Sequence, residues 1–249
     1  MNVFPATRVP AGVVAKWESF AGRKGVTRLC APGAVGKTLP RSGWYGSSLA
    51  REMRTEYEAI VARGFVLQID APDLAMERTV LFQDRSLADF LGIVEIHVAA
   101  INEAIRDIPC ERLRLHACYG NWEGPHTCDV PLREILPLLV RAKVGALSME
   151  FANPRHQHEL VALKNVPDTM AVIPGVIDST TNYVEHAEVV ANRICEAVGA
   201  IGDRTRVIAG TDCGFGTFAG YEHVAPDVVW AKLTACVQGA RIASQRLWA

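Results

Sequence analysis

The sequence has no charge excess of either sign, no long apolar run and few aromatics. Lysine and arginine number 26 against 27 acidic residues, a formal net charge of -1. That balance removes the electrostatic basis for holding nucleic acid or an anionic membrane surface. No apolar stretch approaches the roughly 20 residues of a transmembrane helix. The opening MNVFPATRVP lacks the apolar centre of a secretory signal, so a cytoplasmic location is expected. No Gly-x-Gly-x-x-Gly follows the first strand-like segment, which leaves a dinucleotide fold without positive support. Internal repeats and low-complexity tracts are also missing. The seven cysteines (Cys30, Cys110, Cys118, Cys128, Cys195, Cys213, Cys236) are scattered and odd in number. They read as buried thiols, ligands or nucleophiles in a reducing compartment rather than as a disulfide framework.

What is present is ordinary globular composition, 49% hydrophobic and 21% charged over 249 residues. That length supports one large core or two small ones. No composition shift marks a boundary, so a single domain over 1–249 is expected. Helical and strand-like periodicities alternate. Helices are expected over 13–21, 48–62, 87–105, 132–142, 156–163, 183–198 and 228–247. Ser47 or Ser48, Ser86, and Ser179 or Thr180 supply caps, and Pro137 a kink or break. Strands are expected over 26–31, 65–70, 112–118, 146–151, 171–177 and 206–210.

Apolar strands alternating with amphipathic helices mean an α/β fold with a parallel sheet covered by helices. The polar and reactive residues Asp70, His116, Cys118, Glu150, Asp178, Asp212 and Cys213 fall at C-terminal strand ends. Both (β/α)8 barrels and open doubly wound sheets build their sites there. The expectation is a TIM-type (β/α)8 barrel with six clear βα units, one or two short at the N-terminal end. Either 1–10 holds a degenerate strand, or the domain is truncated, or a second copy or partner chain completes the barrel.

The stretch RLRLHACYGNWEG, Arg112 to Gly124, carries the chemistry. Residues two apart on a strand share a face, with Cα atoms roughly 6.6 Å apart, so His116 and Cys118 can reach one metal ion. Zinc accepts imidazole and thiolate at about 2.0–2.3 Å. Glu150 and Cys213, at later strand ends, extend the pair to a Cys2HisGlu set of zinc-compatible ligands. The plainer alternatives are a buried Cys213 thiol and a Glu150–Arg155 ion pair. His126-Thr-Cys128 repeats the His-x-Cys spacing in a proline-containing loop, where His126 reads better as a substrate-loop residue. His156-Gln-His158 reads as a solvated helix start, because i and i+2 do not share a helix face.

HACYGNWEGPH, SMEFANPRH, IPGVIDSTTNYVEH and VIAGTDCGFGTFAG resemble the catalytic half of the cobalamin-independent methionine synthase family. The resemblance covers nearly the whole chain. It implies a barrel, and zinc held by His116, Cys118, Glu150 and Cys213 in that order. VLQIDAP is similar to the family's strand that ends in a substrate-binding aspartate, here Asp70. Two departures stand out: Asp70-Ala71-Pro72 replaces Asp-Glu-Pro, and Thr180 stands where methionine synthases carry a histidine. Both resemble the branch that includes epoxyalkane:coenzyme M transferase. No counterpart of the family's N-terminal strands is found.

The resemblance implies an enzyme that activates a small thiol, of homocysteine or coenzyme M type, for attack on an alkyl donor. Zinc deprotonates a coordinating thiol, and the thiolate is the nucleophile. His126 or Tyr119 would protonate an opening epoxide oxygen. Asp70 and Asp178 would orient acceptor or donor, although Asp178 reads equally well as a capping carboxylate. Lys37 and Arg41 are candidates to hold a sulfonate or carboxylate, in loops that also contain Trp44 and Tyr221. Two other readings stand beside this one. One is a truncated, inactive or partner-completed zinc-binding domain. The other is an unrelated barrel hydrolase or lyase using Asp70, Glu150 and Asp212.

Overall fold

A computed structural model describes residues 42–216, 220 and 223–249. The expected helix 13–21 and strand 26–31, together with Lys37, Arg41 and Tyr221, lie outside the described residues. Five strands form one sheet in the order β1-β2-β3-β4-β5. They are β1 (Leu67–Ala71), β2 (Leu113–Ala117), β3 (Ala146–Met149), β4 (Ala171–Ile177) and β5 (Gly210–Thr211). β1 pairs parallel with β2, and β4 with β5. Sequence order and spatial order coincide. A doubly wound sheet reverses its strand order at a switch point; no such reversal occurs among these five strands. The α-helices are α1 (Ser42–Ala62), α2 (Glu77–Val80), α3 (Leu87–Ala104), α4 (Leu132–Leu139), α5 (Ala187–Ile201) and α6 (Pro226–Leu247). The described residues group into two compact units.

The first unit comprises the described residues up to Gly120 together with Pro125–Leu147. Its core is set by α3, where Phe90, Val94, Val98, Ile101 and Ala104 are buried. Those spacings of three and four draw one apolar stripe down the helix; Ile69, Leu74, Leu113 and Leu115 of the same unit are buried as well. Ser86 and Asp89 close a reciprocal capping box at the start of α3. This satisfies two otherwise orphaned N–H groups. The Arg54 guanidinium on α1 donates to Glu103 on α3 at 2.7 Å. The β1/β2 register places Asp70 opposite His116 and Ala71 opposite Ala117. α1 begins at Ser42, not near 48, so Trp44 lies in a helix rather than a loop. α4 stops at Leu139, three residues before the expected end. Pro137 cannot donate to the helix ladder, and the chain leaves the helix within one turn of it.

The second unit comprises Asn121–Gly124 and Ser148–Ala249. Val176, Ile177, Val190, Ala191, Ile194, Ala209, Cys236 and Ala243 form its core. α5 packs on α6 at a close crossing: a Cβ on Gly239 would lie 2.5 Å from the Val190 side chain. Arg206 fastens the approach to β4, donating to Asp168 and to the carbonyls of Val166, Pro167 and Met170.

Among the boundaries here that differ from expectation, three have a visible reason. β3 stops at Met149 rather than 151, because the next N–H groups turn onto Asp212. β5 is Gly210–Thr211 rather than 206–210; Arg204–Arg206 forms a 3-10 turn, and Val207 makes only an isolated bridge to Val172. α5 begins at Ala187 rather than 183 and is capped by His186, not Ser179 or Thr180. Residues 178–186 are held as a loop, since Glu185 is drawn inward to Lys232 and Asn182 clamps His223 and Ala225.

Candidate metal centre

β2 ends by placing His116 in the strand and Cys118 one residue beyond it; they are 4% and 4% exposed. Cys213, 7% exposed, follows β5. The imidazole nitrogen and the two sulfur atoms all lie within 4.8 Å of one another. A tetrahedral zinc holds such donors about 3.3–3.8 Å apart, from bond lengths of 2.0–2.3 Å. Imidazole with two thiolates suits zinc among the common divalent ions. Three protein donors also leave a fourth coordination position, the pattern of catalytic rather than structural sites. The donor set fits the group.

The loops around these donors are built from buried polar contacts. The Gly120 N–H donates to the Cys118 Sγ at 3.3 Å. This is possible because Gly120 takes φ 107, where a side chain is strained. The Met76 N–H donates to the Cys118 carbonyl at 3.0 Å, tying the segment after β1 to the end of β2. Under that segment Asp73, Glu77 and His97 are buried together, with Asp73 Oδ2 2.7 Å from His97 Nδ1. Burial, helped by Asp73 and opposed by His97, pushes Glu77 up to about 7.

In the second unit Asp212 sits in a nest of donors. The N–H groups of Phe151 and Ala152 reach its Oδ1 at 2.9 and 2.8 Å, and that of Asn153 reaches Oδ2 at 2.9 Å. Burial pushes its carboxyl up to about 6 against the pull of the Ala152 and Phe151 amides. Gly175 makes room for this carboxylate: a Cβ there would lie 2.0 Å from Asp212 Oδ1.

The remaining sequence candidates fall as follows. Glu150 is buried but stands outside the group of three donors. Its Oε2 accepts from Asn153 at 3.1 Å and lies 3.7 Å from Arg155, the alternative pairing the sequence offered. Asp70 Oδ1 is 3.7 Å from His116 Nε2. Tyr119 is 1% exposed. His126 has a buried side chain with Nδ1 3.2 Å from Asp129, which also accepts from Thr79 at 2.7 Å. Asp178 Oδ1 accepts from the N–H and hydroxyl of Thr180, capping a turn rather than a helix. His156 is not solvated: it is 4% exposed and 2.9 Å from Glu159, while His158 is exposed.

Sequence reasoning missed Gly120, Asn121, Asp129, Ser179 as a site residue, and the Asp73–Glu77–His97 group. Asn121 carried a usable signal as a lone amide between two glycines, three residues beyond Cys118. Ser179 reaches Asn121, Asp129 reaches Thr79 and Asp73 reaches His97 far along the chain, which no local pattern announces, whereas the Gly120 contact with Cys118 is local.

With that geometry in place, comparison with known proteins is informative. Residues 46–235 match the family described as "Cobalamin-independent synthase, Catalytic domain". A curated relative, 2-hydroxypropyl-CoM lyase of Xanthobacter autotrophicus (strain ATCC BAA-1158 / Py2), is 28% identical over 178 residues. That alignment takes in 60% of this chain and 45% of the relative, so the match spans less than half of the relative's length. Among solved structures, a B12-independent methionine synthase from Shewanella sp. W3-18-1, in complex with selenomethionine, matches with a TM-score of 0.61 at 22% identity. It covers 85% of this chain and 58% of that one, and at that identity the likeness speaks to the fold. On the extent of the family match, the chain belongs to the cobalamin-independent methionine synthase catalytic-domain family.

Proposed function

We propose that the protein is a zinc-dependent transferase that moves an alkyl or methyl group onto the sulfur of a small thiol. The observation that carries this is the buried His116, Cys118 and Cys213 donor group at C-terminal strand ends. His116, Cys118 and Cys213 would hold the ion, and Glu150, 3% exposed, is the proposed occupant of the fourth position in the resting enzyme. When bound, zinc supplies a Lewis acid that keeps the acceptor thiol deprotonated at neutral pH. Every other step belongs to the chain's own residues.

The acceptor sulfur forms a new S–C bond as the bond from that carbon to its leaving atom breaks. If the leaving atom is an epoxide oxygen, it gains the electron pair and needs one proton. His126, oriented through Nδ1 by Asp129, is the proposed donor of that proton; Tyr119 is the second candidate. Asp70, 3.7 Å from His116, and Asp178 would orient the substrates. Lys37 and Arg41 are proposed to bind a sulfonate or carboxylate on the acceptor. The reading with Asp70, Glu150 and Asp212 as hydrolytic carboxylates is less well supported, because both Asp212 oxygens already accept from backbone N–H groups.

The relatives named above concern methionine synthesis and 2-hydroxypropyl-CoM. A cytoplasmic enzyme alkylating homocysteine or coenzyme M is the corresponding proposal. The test is zinc stoichiometry on purified wild-type protein beside Cys213→Ser, followed by a screen of homocysteine and coenzyme M with methyl and epoxide donors. About one zinc per chain, lost in the variant, with thioether product from one pair, is expected. Metal-free wild-type protein prepared without chelators would sink the proposal.

A further inference from the structure

We propose that Ser179 and Asn121 are positioning residues that hold Cys213 in place to act as a metal ligand. This rests on the metal-centred function above. The Ser179 hydroxyl accepts from the Cys213 N–H at 3.1 Å and donates to Asn121 Oδ1 at 2.7 Å. Asn121 Nδ2 then donates to the Gly214 carbonyl at 2.6 Å. The ring of contacts runs from the Cys213 N–H to the carbonyl of the next residue, Gly214, so it brackets the Cys213 backbone, and its members Ser179 and Asn121 are 2% and 8% exposed.

The chemistry of this ring differs from ordinary strand pairing. β5 is only two residues long and ends at Thr211, so the sheet does not reach Cys213. The Thr211 hydroxyl donates to the Cys213 carbonyl at 2.8 Å, and beyond it the Cys213–Gly214 backbone is held by the Ser179 hydroxyl and the Asn121 amide, each used as both donor and acceptor. Asn121 lies three residues after Cys118 in the same loop, and Ser179 lies two residues after β4. The ring therefore connects the Cys213 peptide to the chain segment that carries the other thiol ligand. A buried ring of this kind loses a partner at two places when one member is removed, which leaves buried polar atoms unsatisfied. Residues that orient metal ligands in this way typically change metal affinity by about 10–100-fold.

Two readouts on the full-length chain test the assignment. The first is zinc affinity by chelator competition, with cobalt(II) absorbance reporting thiolate ligation. The second is the iodoacetamide alkylation rate of Cys213 in metal-free protein. It is followed peptide by peptide, with buried Cys236 of the same unit as the internal reference. For Ser179→Ala we expect zinc binding weakened about 10–100-fold, restored by Ser179→Thr, and Cys213 alkylated faster relative to Cys236. Asn121→Asp keeps the acceptor for Ser179 and loses the donor to Gly214. It should weaken binding in the same direction, and it decides the matter if Ser179→Ala does not fold. Unchanged zinc affinity and an unchanged Cys213/Cys236 ratio in the folded variants would overturn the assignment. Wild-type protein that binds no zinc, with a Cys213/Cys236 ratio that still rises in the variants, would discard the metal-centred function and leave the positioning role standing. Faster alkylation of both cysteines together would show a merely structural role and would also overturn it.

Discussion

Glu77 is buried, which favours its neutral form. It is expected to titrate at its ordinary value of 4.5 when unfolded and near 7 in the fold. Between those values the native chain binds more protons than the unfolded one, so stability falls as pH rises through that window. Glu77→Gln should remove this slope and stabilise the protein at pH 8 relative to pH 5, read as a shift in urea midpoint. A variant with the wild-type slope would show that Glu77 is not responsible. Lys232 and Glu185 form a buried ion pair. They are 3.0 Å apart with side chains 0% and 2% exposed, and Glu185 Oε1 also accepts from the Asp178 N–H. Removing one partner of a buried pair strands a charge and costs about 3–5 kcal/mol, whereas replacing both is far less damaging. We therefore expect Lys232→Met to lower unfolding free energy by about that amount, and Lys232→Met with Glu185→Gln to recover most of it. A double-mutant cycle in urea measures the coupling.

At the level of elements, the β4/β5 junction depends on a missing side chain. Gly175 pairs with Gly210, and a Cβ at 175 would press on the Asp212 backbone at 2.7 and 2.9 Å as well as on its carboxylate. Backbone cannot give way as a flexible side chain can. Gly175→Ala should displace Asp212 from its three amides and lower Tm by several degrees or abolish folding. Gly239→Ala, which meets Val190 at 2.5 Å, should pry α5 from α6 and also destabilise; thermal melts of the two variants measure both effects. The element pattern was legible because period and polarity set it. Helix α3 and its Ser86 cap, the apolar strands and the C-terminal placement of His116, Cys118 and Cys213 all follow from local residues. The ends of β3, β5 and α5 were not legible. They are decided by Asp212, Arg206, Glu185 and Asn182 reaching partners tens of residues away. The same limit explains Glu150, whose neighbours Asn153 and Arg155 are near in sequence, while its relation to the donors is tertiary.

For the whole molecule, the three donors come from positions 116, 118 and 213, so the unfolded chain has no preformed site. Metal that binds only the native state stabilises it by mass action, about 2.7 kcal/mol at a hundredfold excess over Kd. Wild-type protein should melt higher with zinc than after chelator treatment, and Cys213→Ser should show little difference. Coincident melts for wild type in both conditions would remove zinc from the account. Among the described residues no helix is long and apolar enough to cross a membrane. The adjacency of Asp212 and Cys213 carries a consequence for descent. One side chain anchors the fold through three amides, and the next is the proposed metal ligand Cys213. On that proposal, a lineage sheds the thiol ligand by a single substitution and keeps the architecture. Silent descendants of this family are to be sought among chains that retain Gly175 and Asp212 but have lost the cysteine beside them.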